Sequence, residues 1–104
     1  MKPPKSTCCA MVTLRIREEH DLPAVWQALA ALQALTRQES GCLRFDLFQF
    51  AEKPDALLLI EEFVDAAAFS RHLQAPYTQA YFSLAMTEVV EKTPLLELKI
   101  DVAG

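Results

Sequence analysis

The sequence predicts an α+β domain in which one antiparallel four-stranded sheet carries its helices on a single face. Three observations lead there. Four short runs alternate apolar with polar residues or are apolar throughout, as strands do; three stretches repeat apolar residues every three or four positions, as helices do; and the two kinds follow one another as β-α-β-β-α-α-β. That order is the split-βαβ, ferredoxin-like sandwich, and it contains no internal repeat.

Residues 1–10, with Pro3, Pro4, Lys2, Lys5 and Ser6, are expected to form a loose arm, and 11–104 a single domain. Strand 1 is read from Val12, Leu14 and Ile16 set against Thr13, Arg15 and Arg17. Asp21 is placed to cap a helix whose first turn tolerates Pro23, because the opening N–H groups of a helix have no intrahelical partner. Its stripe is Leu22, Val25, Trp26, Leu29, Leu32 and Leu35, and it ends near Glu39. Gly41 then lets the chain turn into strand 2, where Leu43, Phe45 and Leu47 alternate with Arg44, Asp46 and Phe48. Residues 51–55, with Pro54, read as a returning loop. Strand 3, Leu57 to Val64, is apolar at both parities, so both of its faces call for cover. Asp65 caps a second helix carrying Phe69 and Leu73. Ala75-Pro76 breaks it and opens a third, with Tyr77, Tyr81, Phe82 and Leu84. The last strand is expected after Pro94, from the alternation Leu96, Leu98, Ile100, Val102.

The bulk composition narrows the function classes. The 104 residues allow one core, and 52% hydrophobic against 23% charged residues is ordinary globular usage. Ten basic against fourteen acidic residues give a net charge of −4, which lacks the positive field that attracts a nucleic-acid backbone. No apolar run reaches the roughly 18 residues of a membrane span, and the stretch Cys8 to Leu14 is too short for a signal-peptide core. Cys8, Cys9 and Cys42 are odd in number and two are adjacent, so reduced thiols and a cytoplasmic setting are expected. Neither Cys8 nor Cys9 has a basic neighbour close in sequence to favour a thiolate. With only His20 and His72 and no metal-ligand spacing, a metal site is disfavoured.

A sheet with helices on one face leaves the other bare. At about 25 cal/mol per Å², residues such as Leu58, Ile60 and Phe48 left in water would forgo several kcal/mol, comparable to the whole stability of a small domain. A second copy of the sheet is the simplest cover, so a homodimer through the sheet faces is expected.

The run Glu39-Ser40-Gly41-Cys42-Leu43-Arg44-Phe45-Asp46-Leu47, the strand Leu57 to Asp65 ending in Glu61-Glu62-Phe63-Val64-Asp65, and then Ala68 and His72 resemble the antibiotic biosynthesis monooxygenase superfamily. The match spans about residues 11–102. The resemblance implies a dimeric ferredoxin-like α+β barrel and, in some members, oxidation of phenols or quinols by O₂ without flavin, metal or haem. A deprotonated hydroquinone can itself pass an electron to oxygen, so the protein has only to bind it, take a proton and exclude water. Haem degradation, another activity of the superfamily, needs an axial ligand, and no histidine follows His72.

His72 matches the family histidine. It lies three residues after Phe69, so its ring borders the apolar face of its helix, either as a general base or as a boundary residue bonded to a carbonyl. Glu61 shares a strand face with Leu59 and Phe63. If buried it needs a partner, and Arg15, Arg44 and His72 are the candidates. Glu62 points the other way. Tyr77 stands where relatives often carry a second histidine; its phenol can donate a hydrogen bond but is a poor base at pH 7. Trp26, Phe45, Phe63, Phe69, Tyr81 and Phe82 are candidate walls of a substrate pocket, or plain core. The leading expectation is a cofactor-independent monooxygenase acting on a small aromatic or quinol substrate, with His72 as base and Glu61 and Tyr77 as orienting groups. An isomerase of the same fold and a non-catalytic dimeric ligand-binding or stress-response module are the alternatives.

Overall fold

In the computed structural model, which describes residues 7–98 and residue 100, the chain runs β1 (Cys8–Ile16), α1 (Leu22–Arg37), β2 (Cys42–Phe50), β3 (Lys53–Phe63), α2 (Ala66–Gln74), α3 (Pro76–Leu84) and β4 (Thr87–Leu95). The strands form one antiparallel sheet in the order β2-β3-β1-β4. This is the ferredoxin-like α+β fold with the predicted element order. Ala10, Val12, Leu14 and Ile16 of β1 and Leu57, Leu59 and Phe63 of β3 are buried on the face that α1 covers with Val25, Leu29 and Leu32. Strand alternation and helical periodicity thus meet in one core.

Several boundaries differ from expectation, each for a physical reason. β1 begins at Cys8, and Cys8, Cys9 and Ala10, expected in the loose arm, pair with Phe63, Glu62 and Glu61. Thr7 of that arm donates to Glu62 Oε2 at 2.6 Å, and residues 1–6 lie outside the described residues. The β2–β3 connection is a tight turn at 51–52, so Pro54 lies within β3. It stands beyond the end of β1, whose last pair with β3 is Arg15 with Ala56, so its missing N–H removes no bond to that neighbour.

The last strand is displaced furthest. It spans Thr87–Leu95, with Pro94 inside it, and Leu96, Glu97, Leu98 and Ile100 are not in a strand. Lys99 and residues 101–104 lie outside the described residues. β4 is an edge strand, where proline costs no ladder bond on the open side.

Helix termini follow local chemistry. Asp65 accepts a hydrogen bond from the Ala68 N–H at 2.8 Å, as a capping residue should, whereas Asp21 holds the capping position of α1 without a side-chain bond. Pro76 opens α3 and so separates it from α2. The outer face of the sheet has an apolar centre of Met11, Leu58, Ile60 and Phe48, placed by the pairs Met11–Ile60 and Leu58–Phe48. Its rim is charged, with Arg15 bonded to Glu88 and Arg44 within 3.6 Å of Asp46.

Candidate active site

Between the sheet and its helices lies a cavity of about 220 Å³ with a mostly apolar wall. β1 contributes Val12 and Leu14, α1 Leu29 and Leu32, and β2 Phe45 and Leu47, while α2 and α3 close it with Phe69, His72, Tyr81 and Phe82. The polar exceptions are Glu61, His72, Thr78, Tyr81, Thr87 and Lys92. A few polar groups in a greasy enclosure are the usual make-up of a small-molecule site, and the volume suits a guest of one or two rings rather than a larger ligand.

His72 is 4% exposed and held from two sides. Its ring lies 4.9 Å from that of Phe63, 5.7 Å from Phe45 and 6.4 Å from Phe69, centroid to centroid. Its Nδ1 is 2.9 Å from Oε2 of Glu39, which also accepts a hydrogen bond from the Tyr77 hydroxyl. With Nδ1 taken by a carboxylate, Nε2 is the nitrogen with which His72 can meet a guest. A carboxylate at Nδ1 fixes the tautomer, with Nδ1–H the donor and Nε2 left as the acceptor.

Glu39 reaches His72 because the turn after α1 brings the start of β2 under α2. Cys42 N–H donates to the Glu39 carbonyl at 3.0 Å, and Val64 N–H to the Gly41 carbonyl at 2.8 Å. Gly41 is required by closeness: a Cβ there would stand 2.5 Å from Cβ of Ala68 in the first turn of α2.

Glu61 is 7% exposed on the helix-covered face, paired across the ladders with Ala10 and Phe45. Burial raises its pKa above the ordinary carboxylate range, while the charges of Lys92 and His72 pull it back. Of the three expected partners, His72 alone faces it; Arg15 is bonded to Glu88 and Arg44 lies beside Asp46. Lys92, which sequence reasoning missed, comes from β4 opposite Val12 and sets its ammonium 4.4 Å above the Phe69 ring. At that distance cation and ring attract.

The other expected site residues divide. Phe45, Phe69, Tyr81 and Phe82 line the cavity. Phe63 is fully buried behind His72 and forms no part of the wall, and Trp26 faces a separate groove with Gln33 and Phe48. Tyr77 also stands outside the cavity, so its hydroxyl acts on Glu39 and not on a guest. Burial, the hydrogen bond to Glu39 and that carboxylate's charge push the Tyr77 phenol up to about 12, which keeps it a donor at neutral pH. Glu39 and Thr78 complete the set that sequence reasoning missed. Burial raises the Cys9 and Cys42 thiols, against any thiolate role there. Among the described residues, no group of three or more His, Cys, Asp or Glu side chains is arranged to hold a metal ion, and no helix is long and apolar enough to cross a membrane.

The family model for antibiotic biosynthesis monooxygenase matches residues 7–84. A solved protein from Shewanella oneidensis is 30% identical, with 91% of this chain and 96% of that one covered and a TM-score of 0.73. A Pseudomonas aeruginosa protein is 26% identical over 93% of this chain and 100% of its own, with a TM-score of 0.77. A candidate antibiotic biosynthesis monooxygenase from Nitrosomonas europaea shares the fold over 100% of both chains at 16% identity and a TM-score of 0.75. No curated protein matches.

Proposed function

The chain belongs to the antibiotic biosynthesis monooxygenase family, and from that premise we propose that it oxidises a small aromatic or quinol substrate with O₂ in the cavity between sheet and helices, without flavin, metal or haem. The observation that carries this reading is the buried His72, ringed by aromatic side chains, held at Nδ1 by Glu39 and lining an apolar cavity. His72 Nε2 takes the proton of a substrate hydroxyl, and Glu39 steadies the imidazolium that results. Glu61 orients the ring from the sheet side. Tyr77 acts at one remove by holding Glu39.

The stoichiometry needs no further reductant. A hydroquinone and O₂ become a hydroxyquinone and water. One oxygen atom forms the new carbon–oxygen bond, the other leaves as water, and the substrate gives up all four electrons. The apolar wall supports this chemistry by keeping solvent from the deprotonated ring.

The working unit of this reading is a homodimer, joined through the outer sheet face, in a reducing cytoplasm. The apolar centre and charged rim of that face have the make-up of an interface. Leu96, Leu98 and Ile100, at 84%, 81% and 68% exposure in the single chain, extend the apolar surface that a second copy would cover.

The test is oxygen uptake by metal-free, flavin-free protein with a panel of hydroquinones. Uptake is expected, and His72→Ala should lower turnover by about 10² to 10⁴ while circular dichroism stays native. Equal turnover in His72→Ala would remove the histidine from the mechanism. Absence of uptake across the panel would remove the oxygenase reading.

A further inference from the structure

Thr78, in the first turn of α3, has its hydroxyl fully buried with no hydrogen-bond partner among the described residues, and no other described buried side-chain nitrogen or oxygen is left so. A hydroxyl shut away from water without a partner is costly, so native proteins seldom leave one. Thr78 is also part of the cavity wall, alongside Tyr81 and Phe82 of the same helix. The neighbouring hydroxyls are differently placed: Tyr81 is bonded to Thr87 at 2.8 Å, and Thr36 donates to the Leu32 carbonyl at 2.7 Å. Rotation about χ1 of threonine by one staggered step carries its hydroxyl to the place its methyl held, which allows the oxygen to be turned to whatever occupies the space.

We propose that Thr78 is the polar anchor for an oxygen function of the guest, and that it holds that function equally as a hydroxyl or as a carbonyl. A threonine hydroxyl both donates and accepts, so the same side chain accepts from a phenolic O–H and donates to the C=O that replaces it. A lysine would hold only the carbonyl, a carboxylate only the hydroxyl. The anchor therefore suits a ring whose oxygen changes between these forms while bound. The proposal rests on the cavity being the guest site, as the oxidation reading requires, but its test needs no turnover.

The test uses three probes of one size, titrated under argon so that none is oxidised: 1-naphthol with a hydroxyl, 1-tetralone with a carbonyl, and naphthalene with neither. Titration calorimetry on the full chain should show both oxygenated probes binding more tightly than naphthalene. Thr78→Val, nearly the same shape, should weaken 1-naphthol and 1-tetralone by about 5- to 10-fold, the worth of one hydrogen bond, and leave naphthalene unchanged. Thr78→Ser should keep the preference. The valine variant should melt no lower than wild type in the absence of guest, since it removes an unsatisfied group and keeps the volume. A merely structural threonine would show the reverse: lower stability and unaltered preference. Equal loss for all three probes, unaltered affinity for the oxygenated pair in Thr78→Val, or failure of the wild type to bind any probe would each overturn the anchor. Intact oxygen preference without oxygen uptake would sink the oxidation reading and leave the anchor standing.

Discussion

Gly41→Ala tests whether the closeness of the β2 entry to α2 is what holds the site together. The added Cβ would meet Ala68 Cβ at 2.5 Å, where ordinary contacts begin at 3.4 Å, and would also touch Cγ2 of Val64 at 3.4 Å. Neither obstacle is the end of a flexible side chain. Ala68 is 3% exposed and fixed by the cap that Asp65 gives its N–H, so α2 as a whole must retreat by most of an ångström. Overpacking of this kind costs about 1–3 kcal/mol. In a domain of this size that lowers Tm by about 4–8 °C per kcal/mol. His72 lies one turn further along the same helix and Glu39 two residues before the glycine, so the retreat also stretches their 2.9 Å contact. Urea denaturation would give the stability loss and hydroquinone turnover the functional one. Turnover should fall by more than the folded fraction accounts for. The decisive variant is Gly41→Ala combined with Ala68→Gly, which removes the opposing methyl. It should recover most of the loss, short of about 1 kcal/mol for glycine in a helix. A wild-type Gly41→Ala, or a double variant no better than the single one, would refute the reasoning.

Two further outcomes are expected. Because burial raises the Glu61 pKa in the fold, the unfolded chain releases that proton first as pH rises; its neutral form is fully compatible with the fold below the unfolded value of 4.5, and stability is lost as pH climbs through the higher folded value. Glu61→Gln should therefore melt higher than wild type at pH 7, with the gain vanishing below pH 4.5, and a lower Tm at pH 7 would mean that the ionised carboxylate is well paired. Ile60→Asp, at the centre of the outer sheet face, should turn a dimer into a monomer in sedimentation velocity at micromolar concentration; a wild type that is already monomeric there would dispose of the sheet-to-sheet interface.

Much of the fold was legible because burial imposes its period on the sequence. Val12, Leu14 and Ile16 alternate since one side of β1 lies in the core beneath the helices, and Val25, Leu29 and Leu32 step by three and four since one stripe of α1 faces that same core. What failed was local. The helical stripe was read too wide, and Trp26, at 37% exposure, stands on its margin. Pro94 passed for the start of a strand because an interior strand would not accept it; nothing in the residue itself says that β4 is an edge. Three register shifts also break the two-residue period, one of them between Gln49 and Phe50 at the end of β2 and two nearer the site. Of these two, one lies between Cys42 and Arg44 in β2, and Leu43, expected to face the core, is 54% exposed. The other lies opposite Thr13 and Leu14, which pair with Glu91 and Val89, so Val90 is the extra residue. Val89 and Lys92, three apart, thus share the cavity face, and no alternation rule would put them together.

The candidate site divides along the same line. His72 and Glu61 were readable because each lies on a regular element whose period fixes the direction of its side chain. Glu39 was not, because its contact with His72 crosses 33 residues and depends on Gly41 letting two backbones approach. Parity also fixed the face of Phe63 without fixing its depth. It shares the face of Leu59 and Glu61, yet it stands behind His72 at 4.9 Å, so its part in the site is to hold the imidazole and not to touch a guest. A histidine wedged between three aromatic rings and a carboxylate can turn very little. Under the proposed oxidation, its imidazole is accordingly oriented before any substrate arrives, and the protein meets that ordering cost in folding.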